Sequence, residues 1–548
     1  MHKWTFISFL ALISFSIGAA QASPRADVVL HGGKVFTADT QGPWAEAVAI
    51  RGSRVLAVGS DAEVRALEGP NTLSLDLQGR LVVPGFNDAH THLAVGLPRL
   101  TLPPINIPGP GPTLNEALAQ VAGAVAIAEP GEWIVVTIGE AALFDPDTNR
   151  VALDSVAPDN PVLLFTWSSH TGVVNSLGIE TLGLTETEAD PFGGTYGRFP
   201  GTDVLNGVAN EYGLFRIFRE IRAQAPDELM IAQFEAFSPL LTQLGITSIQ
   251  EMTVGLTRER SERVLAEADM AVRVRSMCVP LTPQESCRSR QRHPLRKVRS
   301  SGIKWLLDGT PVERSAALRE PYADFPGDGV LNIPTGNLIR SLRRSLAEPP
   351  ARNPILFHTV GDRAIDQALS AMESVAPAPV WRRRRVRLEH GDLLQQDHLA
   401  RARRLGLIVV QNPTHLALDL APALGPERAA AAQPLKTLLD NGVSLALASD
   451  GAFPNPFVDI FLAVFHPFHP EEALTVAEAV TAYTLGSATA EFQEKRKGSL
   501  RRGRLADLAV LSQDIFEIPP PAIPETVSLL TVVGGEIVWD SGALATQP

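Results

Sequence analysis

The stretch Val83-Pro-Gly-Phe-Asn-Asp-Ala-His-Thr-His92 ends in two histidines separated by a single residue. In a β-strand, side chains two residues apart point to the same face, so the two imidazoles are placed to chelate one metal ion. Taken alone, the pair fits two solvated or hydrogen-bonded histidines near a turn equally well. The rest of the chain must decide between these interpretations.

Four later apolar runs also end in residues that bind metals or move protons. They are Gly302-Ile-Lys304, Ile355-Leu-Phe-His358, Val386-Arg-Leu-Glu-His390 and Leu445-Ala-Leu-Ala-Ser-Asp450. In a barrel of parallel strands, the carboxyl ends of the strands form one face, where active sites lie. We therefore expect these five strand ends to converge on one site.

Eight segments are predicted as barrel strands, at 86–92, 245–251, 272–277, 302–308, 354–360, 386–390, 407–411 and 443–450. Helical stretches are expected between them, as at 306–347 and 363–375. Such alternation is typical of repeated βα units around a parallel sheet. The sequence thus predicts an α/β fold, a distorted (β/α)8 (TIM) barrel.

Short strands separated by turns occupy 26–83 and return at 507–511, 527–533 and 536–539, which predicts a β-sandwich built from both chain ends. The predicted domains are this sandwich at 23–84 and 495–548, the first barrel strand at 85–95, an insertion domain at 96–240 and barrel strands two to eight at 241–494. The proline-rich opening of the insertion, at 102–112, either walls a pocket or forms a rigid linker.

The first 22 residues are predicted to be a signal peptide. Lys3 precedes an apolar run from Trp4 to Ala20, and the run closes on the small-x-small pattern Ala20-Gln21-Ala22. We expect export to the periplasm or the medium, and no stable membrane insertion after cleavage. An uncleaved anchor is the alternative, although the run is just short of the ~20 apolar residues that a bilayer needs.

The composition and net charge limit the kinds of partner that the protein is expected to bind. The chain has 548 residues, 45% of them hydrophobic, and a net charge of −12, which fits a large globular protein and argues against nucleic-acid binding. Two arginine-rich clusters, 288–299 and 382–387, are expected to be solvated faces of helices and loops. The sequence leaves open whether Cys278 and Cys287 pair and whether the protein is a homodimer.

The chain resembles the metal-dependent amidohydrolase superfamily, most closely the family 3 amidohydrolases that include N-substituted formamide deformylase. Ordered motifs carry the resemblance over nearly the whole mature chain. They include Pro84-Gly-Phe-Asn-Asp-Ala-His-Thr-His92, Asp159-Asn-Pro-Val with His170 and Asn175, Gly245-Ile-Thr-Ser, Ile303-Lys-Trp-Leu-Leu-Asp-Gly309, His358-Thr-Val-Gly-Asp-Arg-Ala364, Arg387-Leu-Glu-His390, Gln411-Asn-Pro-Thr-His415, Ala448-Ser-Asp450, Ala482-Tyr-Thr484 and Gly498-Ser-Leu-Arg-Arg-Gly-Arg-Leu-Ala-Asp507.

The resemblance implies six metal ligands: His90, His92 and Asp450 for a buried ion, His358 and His390 for a second ion, and Lys304 as a bridging carbamate. A free ammonium has no lone pair, so Lys304 binds metal only if it is carboxylated or deprotonated. The alternative is an ion pair between Lys304 and Asp308. The alternative for Asp450 is a helix cap in the turn at 449–451.

These ligands imply one or two divalent cations, with zinc favoured by histidine and carboxylate donors. Bound cations lower the pKa of water from about 15.7 toward ~7, and the resulting hydroxide attacks a carbonyl. Asp450 then acts as general base and returns the proton to the leaving amine. His170 and His415 are predicted to hydrogen-bond the substrate carbonyl, and Trp167 and Phe453 to line an apolar pocket.

The expected function is an exported hydrolase of C–N bonds in small non-peptide amides of the N-acyl or N-formyl type. The alternatives are hydrolysis of cyclic amides, esters or carbamates, and a noncatalytic exported regulator or binding protein that retains the barrel. The arginine-rich stretch at 280–301 and a shortened link after Pro456 depart from the family's pattern. Both border the predicted barrel mouth, so the substrate preference of the deformylase does not carry over directly.

Overall fold

A computed structural model describes residues 1, 25–93, 96–97, 100–101, 111–288, 297–347, 349, 354–451 and 454–546. The predicted signal peptide apart from Met1, the loop at 102–110 and Phe453 lie outside the described residues. Within the described ranges, no helix combines the length and the apolar character that a membrane crossing requires.

Eight parallel strands form the barrel and pair in sequence order. They are Phe86–Thr91, Ile246–Met252, Arg273–Cys278, Val298–Leu306, Ile355–Thr359, Arg387–His390, Ile408–Gln411 and Ser444–Leu447. The barrel closes between the eighth and first strands, where the Asp450 amide donates a 3.0 Å hydrogen bond to the His90 carbonyl. The predicted α/β barrel is confirmed, although its fourth strand begins at Val298, four residues earlier than predicted.

Helices cover the outside of the barrel. They are Arg258–Glu267, Thr335–Ser345, Asp362–Val375, Ala378–Arg384, Gln396–Leu405, Leu435–Asp440, Pro456–Phe465, Val476–Thr481 and Ser487–Ala490, with shorter turns at Ala421–Leu424 and Pro426–Ala430. The helical prediction for 306–347 is wrong up to Thr335. Prolines interrupt that segment because each lacks a backbone N–H for a helix, at Pro311, Pro321, Pro326 and Pro334.

The two ends of the chain form two sheets that pack on each other. One sheet contains Val28–His31, Ala47–Arg51, Arg54–Gly59, Leu73–Asp76 and Ala545–Thr546. The other contains Lys34–Phe36, Trp44–Ala45, Leu81–Pro84, Leu508–Leu511, Ser528–Val533 and Glu536–Asp540. Leu30 and Ile50 of the first sheet share a buried core with Val510 and Val532 of the second.

A six-stranded sheet stands between the first and second barrel strands. Its strands are Leu100–Thr101, Ile134–Ile138, Val162–Thr166, Thr171–Val174, Gly194–Arg198 and Leu205–Glu211. Its helices are Leu114–Val125, Glu140–Leu143, Arg150–Val156, Ser176–Thr181, Tyr212–Gln224 and Asp227–Gln243. Side chains from this region, including Phe165 and Phe215, belong to the same hydrophobic core as the barrel, so the region is held firmly over the barrel.

The structure corrects one prediction from the sequence and answers one question that the sequence left open. Arg384 and Arg387, predicted to be solvated, are buried. Arg387 donates two hydrogen bonds to Glu389, of 2.7 and 2.8 Å, and this pairing compensates a charge placed inside the barrel. Cys278 and Cys287, whose pairing the sequence left open, form a disulfide with their Cα atoms 5.7 Å apart.

Candidate active site

The two histidines of the opening motif point into one site at the carboxyl end of the first strand. Their Nε2 atoms are 3.1 Å apart, and Asp450 Oδ1 lies 3.2 Å from His90 Nε2 and 3.4 Å from His92 Nε2. Two nitrogens bound to one tetrahedral zinc ion at ~2.05 Å would lie about 3.3 Å apart. Two imidazoles and a carboxylate at these separations therefore fit one divalent cation.

Oxygen atoms behind the two histidines orient them as ligands. His92 Nδ1 lies 3.0 Å from the Met252 carbonyl oxygen, and His90 Nδ1 lies 2.8 Å from Glu389 Oε2. Both acceptors assign the ring proton to Nδ1 and leave the Nε2 lone pair facing the site. Burial, assisted by the cation of Lys304, lowers the pKa of His92 to about 3 and that of His90 well below its ordinary value. Both imidazoles are therefore neutral and free to bind a metal.

Lys304 lies inside this cluster at the end of the fourth strand. Its side chain is buried, with Nζ 2.7 Å from His90 Nε2 and 3.3 Å from His92 Nε2. Burial lowers its pKa to about 8. Asp308, the alternative partner, instead accepts hydrogen bonds from the backbone amides of Ala317, Val360 and Gly361.

The fifth and sixth strands bring His358 and His390 beside the first cluster. Their ring centroids are 4.4 Å apart, and that of His390 is 5.0 Å from His90. His390 Nδ1 lies 2.8 Å from Asn412 Oδ1, while His358 Nε2 lies 3.3 Å from the Gly309 carbonyl oxygen. Each ring thus keeps its other nitrogen available as a donor to a metal.

Asp450 joins the two halves of the site. One of its carboxylate oxygens and one ring nitrogen from each of His90 and His390 all lie within 4.8 Å of one another. Burial would raise the pKa of Asp450, but the protonated ring of His415 interacts with its carboxylate and holds that pKa well below 3.8. Asp450 is therefore an anion. It does not cap the helix Pro456–Phe465, because the Asn455 side chain does so.

His415 supports Asp450 from the rim of the barrel. Its Nε2 lies 3.4 Å from Asp450 Oδ2, and its Nδ1 lies 2.9 Å from Asp392 Oδ2. Burial opposes protonation of the ring, but the carboxylates of Asp392 and Asp450 outweigh it and raise the pKa of His415 to about 10. A protonated His415 can donate a hydrogen bond to Asp450.

His170 reaches the site from the insertion. Its ring centroid is 4.9 Å from that of His358, and its Nδ1 lies 3.0 and 2.9 Å from the two carboxylate oxygens of Glu211. Burial alone would lower the pKa of His170, but the Glu211 charge raises it to about 8. The structure therefore places a cationic hydrogen-bond donor above the second pair of histidines.

Three of these residues have a left-handed backbone. The φ angles are 68° for His390, 52° for Asp450 and 54° for Glu211. Residues other than glycine seldom adopt this conformation, and it is concentrated at functional sites, where the surrounding structure enforces it. The strand ends are therefore bent where each side chain must turn toward the site.

A cavity of about 970 Å³ opens onto the cluster. Its described lining includes His92, Lys304, His358, His390, Asp450, His415 and His170, and its remaining walls are mainly apolar, with Leu97, Phe165, Trp167, Phe215, Phe218 and Leu462. Gly111 and Pro112, at the end of the proline-rich stretch, also line it. The structure thus brings together every predicted ligand and both predicted carbonyl-binding histidines around one apolar chamber.

Sequence reasoning missed the residues that orient the ligands. Glu389, Asp392 and Asn412 all lie within quoted motifs or next to them, so their polar character beside a ligand was an available signal. Glu211 follows His170 by 41 residues, and only the antiparallel pairing of Thr171–Val174 with Leu205–Glu211 brings them together.

Comparisons with known proteins agree with this architecture. A sequence model of the amidohydrolase family matches residues 74–539. Protein LONG AFTER FAR-RED 3 of Arabidopsis thaliana is 29% identical over 94% of this chain and 92% of its own length. N-substituted formamide deformylase of Arthrobacter pascens is 27% identical over 94% of this chain and 98% of its own length. The crystal structure of an uncharacterized metal-dependent hydrolase from Pyrococcus furiosus has the same fold, with a TM-score of 0.68, 24% identity and coverage of 89% of this chain and all of the other.

Proposed function

The chain belongs to the amidohydrolase family, as a metal-dependent hydrolase of C–N bonds, and we propose that its substrates are N-acyl or N-formyl amides of small molecules with a sizeable apolar group. The observation that carries this proposal is the position of Asp450 and His92 at the floor of a largely apolar chamber, with the buried His90 in contact with both. The relative named as a formamide deformylase supports the amide class.

The proposed metal sites use the predicted ligands. His90, His92 and Asp450 would hold one ion, His358 and His390 a second, and a Lys304 carbamate would bridge them. Nitrogen and carboxylate donors favour zinc. A divalent cation bound there would supply Lewis acidity, which polarises the substrate carbonyl and lowers the pKa of water.

The side chains around the metal sites would transfer protons and orient the substrate. Asp450 takes a proton from the water that attacks the amide carbon and transfers it to the nitrogen as the C–N bond breaks, so that the products are a carboxylic acid and an amine. The protonated His415 donates a hydrogen bond to the Asp450 carboxylate and keeps it in position. His170, protonated beside Glu211, donates a hydrogen bond to the carbonyl oxygen, where negative charge develops. The apolar walls bind the rest of the substrate.

We also propose export to the periplasm or the medium after cleavage behind Ala22. The sequence of the first 22 residues supports it. The Cys278–Cys287 disulfide is a second support, because disulfides persist in oxidising compartments.

The test follows substrate loss and product formation by chromatography, with the zinc-supplied chain that begins at Ser23. Formyl and acetyl amides of short and long alkylamines are compared with lactams, esters and carbamates. We expect the long-chain amides to have the highest kcat/KM, and Trp167→Ala to reduce that preference while an exposed control, Trp44→Ala, does not. Turnover of only lactams or esters would contradict the proposal that the substrates are N-acyl or N-formyl amides. Absence of any turnover in metal-loaded protein would favour a binding protein.

A further inference from the structure

A second cleft lies at the opposite end of the barrel from the proposed active site. It has a volume of about 300 Å³ and borders the amino ends of the third and fourth strands, near Arg273 and Lys297. Arg54 and Gly534 from the two terminal sheets form its other side. The cleft therefore sits where the barrel meets the sandwich.

The cleft concentrates positive charge in an acidic protein. Its described lining has seven cationic side chains: Arg54, Arg273, Arg275, Lys297, Arg299, Arg496 and Lys497. Among the described residues, two carboxylates line the cleft, those of Glu491 and Glu536, and a third, that of Asp507, pairs with Arg273. Seven cations thus face three carboxylates, although the whole chain carries −12.

Arg275 gives the cleft a buried donor. Its side chain is only 2% exposed, its Nη1 donates a 2.7 Å hydrogen bond to the Glu491 carbonyl, and its Nε lies 3.4 Å from Glu491 Oε2. Nη2 is buried without a hydrogen-bond partner among the described residues. A buried guanidinium N–H without an acceptor is costly, so a bound anion would satisfy it.

We propose that this cleft, which we call the basal cleft, binds a phosphate dianion, either free or as a monoester. Guanidinium groups match phosphate oxygens through paired N–H donors, and several cations around one concave site favour a compact multivalent anion. The volume suits a small ligand. Since the lining comes from barrel and sandwich, the anion would bind the two together and stabilise the folded chain.

The experiment is isothermal titration of the zinc-loaded protein with inorganic phosphate and, separately, with glycerol 3-phosphate. Chloride keeps the ionic strength constant, and thermal unfolding is followed in parallel. We expect saturable binding of one anion per chain and a midpoint that rises with anion concentration. The relative affinities of the two probes identify the free or the esterified form.

Arg299→Gln and Arg496→Gln, which lie away from the proposed active site, should together weaken binding about tenfold or more, as expected for lost charge-assisted hydrogen bonds. The double variant Arg340→Gln with Arg343→Gln makes an equal charge change at two exposed positions of the helix Thr335–Ser345 and is the matched control. Absence of saturable binding would overturn the proposal. So would binding that the double variant leaves unchanged, because the anion would then occupy another site.

Discussion

Replacing Asp450 by asparagine tests the proposed proton transfer. Asparagine keeps the shape of the side chain and one ligand oxygen, but it cannot accept a proton at neutral pH. In the native protein the Asp450 carboxylate is held ionised, 3.2 Å from His90 Nε2 and 3.4 Å from His415 Nε2. Loss of a positioned general base costs about 10²–10⁴-fold in rate, which corresponds to roughly 2.7–5.4 kcal/mol of barrier.

The assay measures kcat and KM for amide hydrolysis together with zinc content per chain. We expect kcat to fall by ~10²–10⁴-fold in protein that retains its metal, with little change in KM. Asp419→Asn removes an exposed carboxylate at the barrel mouth and should leave kcat unchanged. A metal-loaded Asp450→Asn variant with a kcat near that of the native protein would refute the assignment of Asp450 as the base.

Three further predictions concern neighbouring groups. Glu211→Gln should move the alkaline limb of the kcat/KM pH profile to lower pH, because burial then lowers the pKa of His170, which is about 8 in the native protein; an unmoved profile would contradict this role. The pKa of His415 rises from 6.5 to about 10 on folding. The stability that the protonated His415 ring gives to the folded protein is therefore complete below pH 6.5 and is lost as pH rises through 10. Metal-free Asp392→Asn should therefore lose less thermal stability than metal-free native protein as the pH rises over that interval. Parallel plots of melting temperature against pH for the two proteins would exclude an effect of Asp392 on the pKa of His415. Cys278→Ser should lower stability by about 2–3 kcal/mol, the value for a loop of ~10 residues, and reductant should destabilise only the native protein; equal effects on both would count against a stabilising disulfide.

The sequence was sufficient to predict the barrel and the positions of its ligands. Each ligand-bearing strand is a short apolar run, so the strand and the polar residue that ends it are both visible in one stretch of chain. His358 and His390 illustrate this, since each closes a buried strand and the two rings lie side by side in the structure.

The sequence was insufficient where a residue's role depends on tertiary pairing. Glu211 contacts His170 only because two strands of the insertion pair. The four arginines just before Arg387 favour a solvated face, whereas the structure buries Arg387. Arg387 and Glu389 are two residues apart on one strand, so they share a face, and that spacing was a signal for a buried ion pair.

The most direct test of the central claim is the metal content of the mature protein, purified without chelators and measured by inductively coupled plasma mass spectrometry. We expect one or two divalent ions per chain. We also expect chelation to abolish amide hydrolysis and zinc to restore it. Two ions would support the Lys304 bridge, and one would favour the site of His90, His92 and Asp450. A metal-free chain that neither binds zinc nor gains activity from it would contradict the claim that these strand ends form a hydrolytic metal site.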